Sequence, residues 1–191
     1  MAFDFSGRVI LVTGGTKGIG RGIAQAFLKA GARVIICGRS APEMPVVCGT
    51  ATADFFPLDV RDVDAVKALF DGIAADYGRL DVLINNAGGS PNADAATASP
   101  RFHESIIRLN LIAPLHMAQM ANAIMQNQPE GGVIEFIGSV SALRPSPGTA
   151  AYGAAKAGIL NLVSSLAVEW APKVRVVTIS PGLIRTEKSD M

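Results

Sequence analysis

The sequence predicts a single α/β domain built on a doubly wound parallel sheet. Three observations predict it: apolar runs rich in β-branched residues recur along the chain, helical patterns alternate with them, and a glycine-rich stretch separates the first run from the first helical pattern. The runs are continuous rather than alternating, which is typical of strands buried on both faces. A length of 191 residues suits one domain with a sizeable core.

The strands are predicted where apolar residues follow one another without the spacing of a helix. Five runs have this character and a sixth, FFPL, is weaker. In chain order the predicted strands are 8–13, 33–38, 55–58 (the weaker one), 81–85, 132–138 and 174–180.

Helices are predicted where apolar residues recur at intervals of three and four. One stripe begins at Ile19 and ends before Gly31, a typical residue just after a helix, and a second begins at Val63. A last long helix is expected over 152–170. The segment 40–54 has two prolines and poor periodicity, so the helix expected there is short or absent.

A further helix is predicted to begin at Ser99-Pro100, an N-cap residue followed by proline in the first turn, and to run to about Gln126. Pro114 has no N–H to offer the carbonyl of Asn110, so this helix is expected to kink there. The released carbonyl could hold a water molecule, or the kink could simply be tolerated.

Composition narrows the classes of partner. A net charge of +1 gives no electrostatic reason to expect nucleic acid or an anionic membrane. Two cysteines are too few for a disulfide scaffold, and His103 and His116 lack neighbours that would complete a metal site. The N-terminus lacks the pattern of a secretory signal. We therefore expect a cytoplasmic protein with a small-molecule ligand, no metal and no membrane partner.

The glycine-rich stretch LVTGGTKGIGRG places Gly14, Gly18 and Gly20 between the first strand and the first helix. Glycines allow close approach of a diphosphate, and a helix amino end offers N–H groups and a positive dipole to it. The stretch therefore favours a dinucleotide site, although a tight turn without a ligand would also use glycines.

Two cations favour one type of dinucleotide. Sites for a free ribose 2′-hydroxyl usually place an acidic residue after the second strand, where this chain has Arg39 and no carboxylate before Glu43. Together with Lys17, Arg39 could bind a 2′-phosphate, which favours NADP(H) over NAD(H). The alternative is that both are ordinary surface cations.

Tyr152 and Lys156 are spaced to share one face of the last helix. Tyrosine is a poor base at neutral pH, and a nearby ammonium favours its phenolate form. Ser139 follows a strand at the carboxyl edge of the sheet, where its hydroxyl could bond a carbonyl oxygen as that oxygen gains charge, and Ser141 is a substitute for it.

Further chemistry-bearing residues are expected at the same edge. They are Asp59, the NNAG stretch 85–88, Ser180 to Gly182, and Thr186 beyond. Asp59 could instead cap the helix that follows it.

Taken together, TGGTKGIG, NNAG, Asn110, Ser139, YGAAK and PGLIRT resemble the short-chain dehydrogenases/reductases, in their compact single-domain branch. The resemblance runs from about residue 6 to the end and implies a Rossmann fold. Members usually continue beyond the point where this sequence stops, so we expect the single domain 1–191 to lack the usual substrate-covering loop, last helix and last strand. The resemblance also implies a homo-oligomer, a tetramer or a dimer.

The resemblance implies a role for each matching residue. Tyr152 would exchange a proton with the substrate oxygen, Lys156 would assist it and bind the nicotinamide ribose, and Ser139 would orient the substrate. Asn110 would hold a water through its main chain. The cofactor would contact Gly14, Thr16, Lys17, Gly18, Ile19, Gly20, Arg39, Asp59, Val60, Asn86, Ala87, Gly88, Tyr152, Lys156, Pro181, Gly182, Ile184 and Thr186.

These assignments predict an NADP(H)-dependent oxidoreductase that moves a hydride between the nicotinamide and a carbonyl or secondary alcohol, in the direction of ketone reduction. A non-catalytic NADP(H)-binding sensor or scaffold on the same fold is the alternative, and it would be indicated by loss of Tyr152, Lys156 or Ser139.

Overall fold

A computed structural model describes residues 3–187 and contains a six-stranded parallel sheet with a small antiparallel hairpin beside it. In chain order the strands are β1 (Val9–Thr13), β2 (Arg33–Gly38), β3 (Val47–Cys48), β4 (Ala51–Thr52), β5 (Asp54–Pro57), β6 (Val82–Asn85), β7 (Gly132–Ile137) and β8 (Val174–Ile179). All six predicted strands are present, the weaker one as β5.

The large sheet has the strand order β5-β2-β1-β6-β7-β8. From β1 the chain adds β2 and β5 on one side of the sheet. It then returns to the centre and adds β6, β7 and β8 on the other side, so the strand order reverses between β1 and β6. Doubly wound sheets bind their ligands at such a reversal, beyond the carboxyl ends of the strands. The fold thus fixes where a ligand site is expected.

Five α-helices cover the sheet, and their beginnings follow the sequence closely. Ser99 accepts a hydrogen bond from the Phe102 N–H, with Pro100 in the first turn, as predicted. The helix that begins at Val63 is capped by Asp62, which accepts from the Ala65 N–H. The alternative that Asp59 caps this helix is therefore wrong. The helices are α1 (Gly18–Lys29), α2 (Val63–Tyr77), α3 (Pro100–Ile107), α4 (Ala113–Met125) and α5 (Ala150–Glu169).

Burial on both faces of the sheet explains the continuous apolar runs. In β1, Leu11 faces a core formed with α2, α4 and α5, while Ile10 and Val12 face a second core that includes Ala24 and Leu28 of α1. All five residues of β1 are buried. The predicted doubly wound parallel sheet is therefore confirmed.

Helix α5 is long and apolar enough by composition to cross a membrane, but one third of its most apolar window is buried inside the protein. Lys156 and Ile159 are among the residues of α5 that are buried in the fold. The buried residues of α5 recur about every three or four positions, so one face of the helix packs against the fold.

The segment 40–54 contains no α-helix, as predicted, but the hairpin β3–β4 was not expected. Gly49, with φ of +59°, lies in its turn. The hairpin is attached to α1, because the Arg21 guanidinium donates to the Met44 and Pro45 carbonyls, at 3.1 Å each. The Gln25 amide donates to the Val47 carbonyl.

The predicted kink before Pro114 takes the form of one π-helical turn over 108–112, between α3 and α4. The Ala113 N–H donates to the Arg108 carbonyl, five residues earlier. The Asn110 side chain supports the turn by donating to the Ile106 carbonyl at 2.9 Å. Such turns often lie at functional sites.

An ionic network around Asp81 ties together the amino edge of the sheet. The Asp81 carboxylate accepts from the Val9 N–H at 2.8 Å, from Arg79 through two nitrogens, and from Arg8 at 2.9 Å. Glu130 contacts both arginines. Burial opposes ionisation of Asp81, but the hydrogen bonds from Arg79, Val9 and Arg8 outweigh it and lower its pKa.

Replacing Asp81 with asparagine is expected to lower the free energy of unfolding by about 2–3 kcal/mol, since buried charge-assisted hydrogen bonds are lost. Because the pKa of Asp81 is lowered by folding, this stabilisation is present above the ordinary carboxyl value of 3.8 and is lost as the pH falls further. Urea unfolding at pH 7 and at lower pH measures both effects. An unchanged free energy of unfolding at pH 7 would contradict the prediction.

Candidate active site

The glycine loop lies at the carboxyl end of β1 and leads directly into α1. Gly14 and Gly18 have φ of +64° and +55°, a conformation that favours glycine. At Gly20 a Cβ atom would overlap the Gly14 carbonyl and lie 2.5 Å from Nδ2 of Asn86. The glycines thus allow the loop to fold tightly against the end of β6.

Asn86 and Thr13 lock the two strands together where the strand order reverses. Asn86 Nδ2 donates to the Thr13 carbonyl at 2.8 Å, and Thr13 Oγ1 accepts from the N–H groups of Asn86 and Ala87 at 2.9 Å each. The side chain of Asn86 is therefore used to shape the loop. A cofactor contact from 86–88 would come chiefly from the backbone.

The two cations predicted to bind a 2′-phosphate are both exposed and lie near this loop. Lys17 directly precedes α1. Arg39 directly follows β2, whose end is joined to the loop by the Gly14 N–H, which donates to the Cys37 carbonyl at 2.8 Å. Thr16 packs close to Gly38. Both cations thus lie at the carboxyl edge of the sheet.

Asp59 and Val60, predicted to contact the cofactor, lie just beyond β5. Arg61 binds the Asp59 carboxylate at 2.6 and 3.0 Å. Its hydrogen bonds, helped by the charge of Arg39, lower the pKa of Asp59 to about 2 against an opposing effect of burial. The side chain of Val60 is buried in the core, so only its backbone is available to a cofactor.

Ser139 is buried just beyond β7 and accepts a hydrogen bond from the Ser141 N–H at 3.1 Å. This bond uses an oxygen lone pair and leaves the hydroxyl hydrogen for another acceptor. Ser141, considered as a substitute, has its hydroxyl bonded to that of Ser146, which also contacts Thr149 Oγ1 at 2.6 Å. This chain of hydroxyls, which the sequence did not suggest, links the serine loop to the start of α5.

Tyr152 and Lys156 lie on one face of α5, as predicted, with Lys156 Nζ 5.7 Å from the centre of the Tyr152 ring. Lys156 is 5% exposed, and its ammonium donates to the Ile137 carbonyl at 2.7 Å. Burial lowers the pKa of Lys156 to about 8. A Cβ placed on Gly88 would lie 3.6 Å from Lys156 Nζ, so the lysine reaches the end of β6.

Asn110 is completely buried and its side chain holds the loop after β6. Its Oδ1 accepts from the Gly89 N–H at 2.8 Å, and its Nδ2 donates to the Gly89 carbonyl at 2.9 Å. Any part that Asn110 plays in proton transfer therefore falls to its main chain, within the π turn. Sequence reasoning found Asn110 but not its pairing with Gly89.

The segment after β8 approaches both the serine loop and the glycine loop. The Val140 N–H donates to the Pro181 carbonyl at 3.1 Å, and a Cβ on Gly18 would lie 3.7 Å from Cγ2 of Thr186. Glu187 Oε1 accepts from the Gly18 N–H at 2.6 Å. No motif had indicated Glu187.

Loops 89–95 and 141–148 adjoin beside this edge, and the Ala93 N–H donates to the Gly148 carbonyl at 2.8 Å. A cavity of 530 Å³ lies between them. A second, of 680 Å³, lies between 141–147 and the start of α5. The loop after β6 and the loop before α5 thus meet in space.

The arrangement suits a nicotinamide dinucleotide beside a carbonyl or alcohol. The glycine loop forms a cradle that side chains would fill, and the helix amino end offers N–H groups for phosphates. The buried ammonium of Lys156 and the Tyr152 hydroxyl are placed by α5, and the Ser139 hydroxyl lies just beyond β7 at the same edge of the sheet.

Comparison with known proteins agrees with this chemistry. The sequence model described as short chain dehydrogenase matches residues 8–190. D-threitol dehydrogenase of Mycolicibacterium smegmatis is 35% identical over 97% of this chain and 74% of its own length. The 3-oxoacyl-[acyl-carrier-protein] reductase FabG of Thermotoga maritima is 30% identical over 96% and 77%, respectively.

A solved structure extends the likeness to the fold. Ligand-free aldohexose dehydrogenase of Thermoplasma acidophilum superimposes with a TM-score of 0.87 and 32% identity, covering 97% of this chain and 69% of that one. Members of the family matched here bind NAD or NADP and act on alcohols or carbonyls. The chain therefore belongs to the short-chain dehydrogenase/reductase family of oxidoreductases.

Proposed function

We propose that the protein is an NADP(H)-dependent carbonyl reductase that interconverts a carbonyl compound and a secondary alcohol. The observation that carries the proposal is the buried Lys156, whose ammonium lies beside the Tyr152 ring and near Gly88 at the end of β6. Burial of an ammonium group beside a tyrosine destabilises the folded protein. A role in acid–base catalysis would explain why it is placed there.

A nicotinamide held at this edge of the sheet would supply the hydride in reduction and accept it in oxidation. In reduction, the Tyr152 hydroxyl gives its proton to the substrate oxygen as the carbonyl carbon becomes saturated, and in oxidation the proton returns to it. The Ser139 hydroxyl accepts from the Ser141 N–H and keeps its hydrogen, which it donates to the same substrate oxygen. The Lys156 ammonium lies beside the Tyr152 ring at the site of proton transfer, and the main chain of Asn110 holds a water through which the proton is replaced.

The preference for NADP(H) is supported by the charges around the loop. Lys17 and Arg39 are exposed there, and the carboxylate of Asp59, which feels the charge of Arg39, is bound by Arg61. A 2′-phosphate would therefore meet two cations and a carboxylate whose charge is already balanced. We further propose that the reaction takes place in the cytoplasm and that the enzyme is a homo-oligomer, a tetramer or a dimer.

Replacing Arg39 with aspartate is expected to weaken NADPH binding about 10- to 100-fold, because a charge-assisted contact becomes a repulsion. NADH, which lacks the 2′-phosphate, should bind at least as well as before. Fluorescence titration with both cofactors measures the ratio. Arg101→Asp, at an exposed arginine of α3, is the matched control. Equal affinity of the native protein for NADPH and NADH would contradict the roles proposed for Lys17 and Arg39.

A further inference from the structure

Glu187 lies at the amino end of α1, where the cofactor diphosphate is expected. We propose that its carboxylate holds the place of the diphosphate in the free protein and must leave before the dinucleotide binds, so that Glu187 lowers the affinity for the cofactor. The inference rests on the proposed function, since it requires a dinucleotide at the glycine loop.

The contact is a specific one. Oε1 of Glu187 accepts from the N–H of Gly18, the first residue of α1, at 2.6 Å, although the two residues are 169 positions apart in the sequence. Helix α1 has no acidic residue in its first turn, and Lys17, which precedes it, makes no capping bond with its side chain. Glu187 thus provides the anionic partner that the local sequence of α1 does not.

The charges around the carboxylate are the ones that would attract phosphate. Hydrogen bonds from the backbone N–H groups of Glu187 and Gly18 lower the pKa of the carboxyl, and the charges of Arg21 and Lys17 lower it further. The group is therefore ionised at neutral pH. An ionised carboxylate and a diphosphate would compete for the same N–H group and the same two cations.

The connection to the rest of the fold allows the carboxylate to leave. Pro181 is held by the Val140 N–H, whereas 182–185 are exposed and Leu183 is 99% exposed. Movement of Glu187 would therefore not uncover buried side chains of 182–185. Thr186, predicted to contact the cofactor, would move with it.

The size of the effect follows from the fraction of molecules in which Glu187 is bound. The apparent affinity for a ligand is reduced by the fraction of protein that is competent to bind it. If the carboxylate is in place in about 70–90% of molecules, the dissociation constant rises about three- to tenfold.

The test is calorimetric titration of the full chain with NADPH and with adenosine, which has no phosphate. Glu187→Gln removes the charge and keeps the shape, and Glu169→Gln removes an exposed charge at the end of α5 as the matched control. We expect Glu187→Gln to bind NADPH about three- to tenfold more tightly than the native protein does. Both variants should bind adenosine with the affinity of the native protein.

Three outcomes would overturn the inference. NADPH affinity that is unchanged or weaker in Glu187→Gln would show that the carboxylate does not compete. An equal gain for adenosine would place the effect away from the diphosphate. If the native protein binds neither NADPH nor NADH, both the proposed function and the inference fail. If the native protein and Glu187→Gln bind NADPH equally, only the inference fails.

Discussion

Replacement of Tyr152 by phenylalanine is expected to lower turnover by about 10²- to 10⁴-fold, the contribution typical of a positioned general acid–base group. The variant keeps the ring that lies 5.7 Å from the Lys156 ammonium and loses only the hydroxyl. The measurement is NADPH oxidation with a carbonyl substrate that the native enzyme accepts.

The control for this variant is its affinity for NADPH, which should stay within a few-fold of the native value, together with an unchanged thermal midpoint. Loss of turnover with cofactor binding preserved would support the catalytic role and exclude a sensor or scaffold. Turnover close to that of the native enzyme would mean that Tyr152 is not the proton donor.

Replacement of Lys156 by methionine is expected to abolish detectable turnover and to change how stability depends on pH. Folding lowers the pKa of Lys156 from 10.5 to about 8 because burial disfavours the charged form. Between these values the unfolded chain binds more protons than the folded protein. The native protein should therefore gain stability relative to the variant as the pH rises from 8 to 10.5, by about 3 kcal/mol in all.

Below pH 8 the lysine is charged in both states, and the full unfavourable effect of its burial is present. Urea unfolding of both proteins at several pH values gives the difference in their free energies of unfolding. A difference that is constant with pH would contradict the lowered pKa of Lys156. The Ile137 carbonyl loses its donor in the variant, but this loss does not vary with pH.

The sheet and the placement of the candidate catalytic residues were predictable because their signals are local. Strands buried on both faces need continuous apolar runs, and Gly14, Gly18 and Gly20 mark a turn that other residues would obstruct. Tyr152 and Lys156 are one helical turn apart, so their shared face follows from spacing alone. Family resemblance then gave each residue a role.

The remaining features depend on contacts between distant parts of the chain. The prolines of 40–54 indicate the absence of a helix, but pairing of β3 with β4 depends on its anchoring to Arg21 and Gln25 of α1. The bond between Glu187 and Gly18 joins opposite ends of the sequence. No spacing or composition rule could indicate either of them.

The ionic network around Asp81 and the reactive groups lie at opposite ends of the same strands. Asp81 directly precedes β6, and Asn86 directly follows it. Substitutions at the amino edge should therefore alter the thermal stability of the protein. Substitutions at the carboxyl edge should alter its substrate specificity. Thermal stability and substrate specificity can then be changed by separate sets of substitutions. Changing one property should not require compensating substitutions for the other.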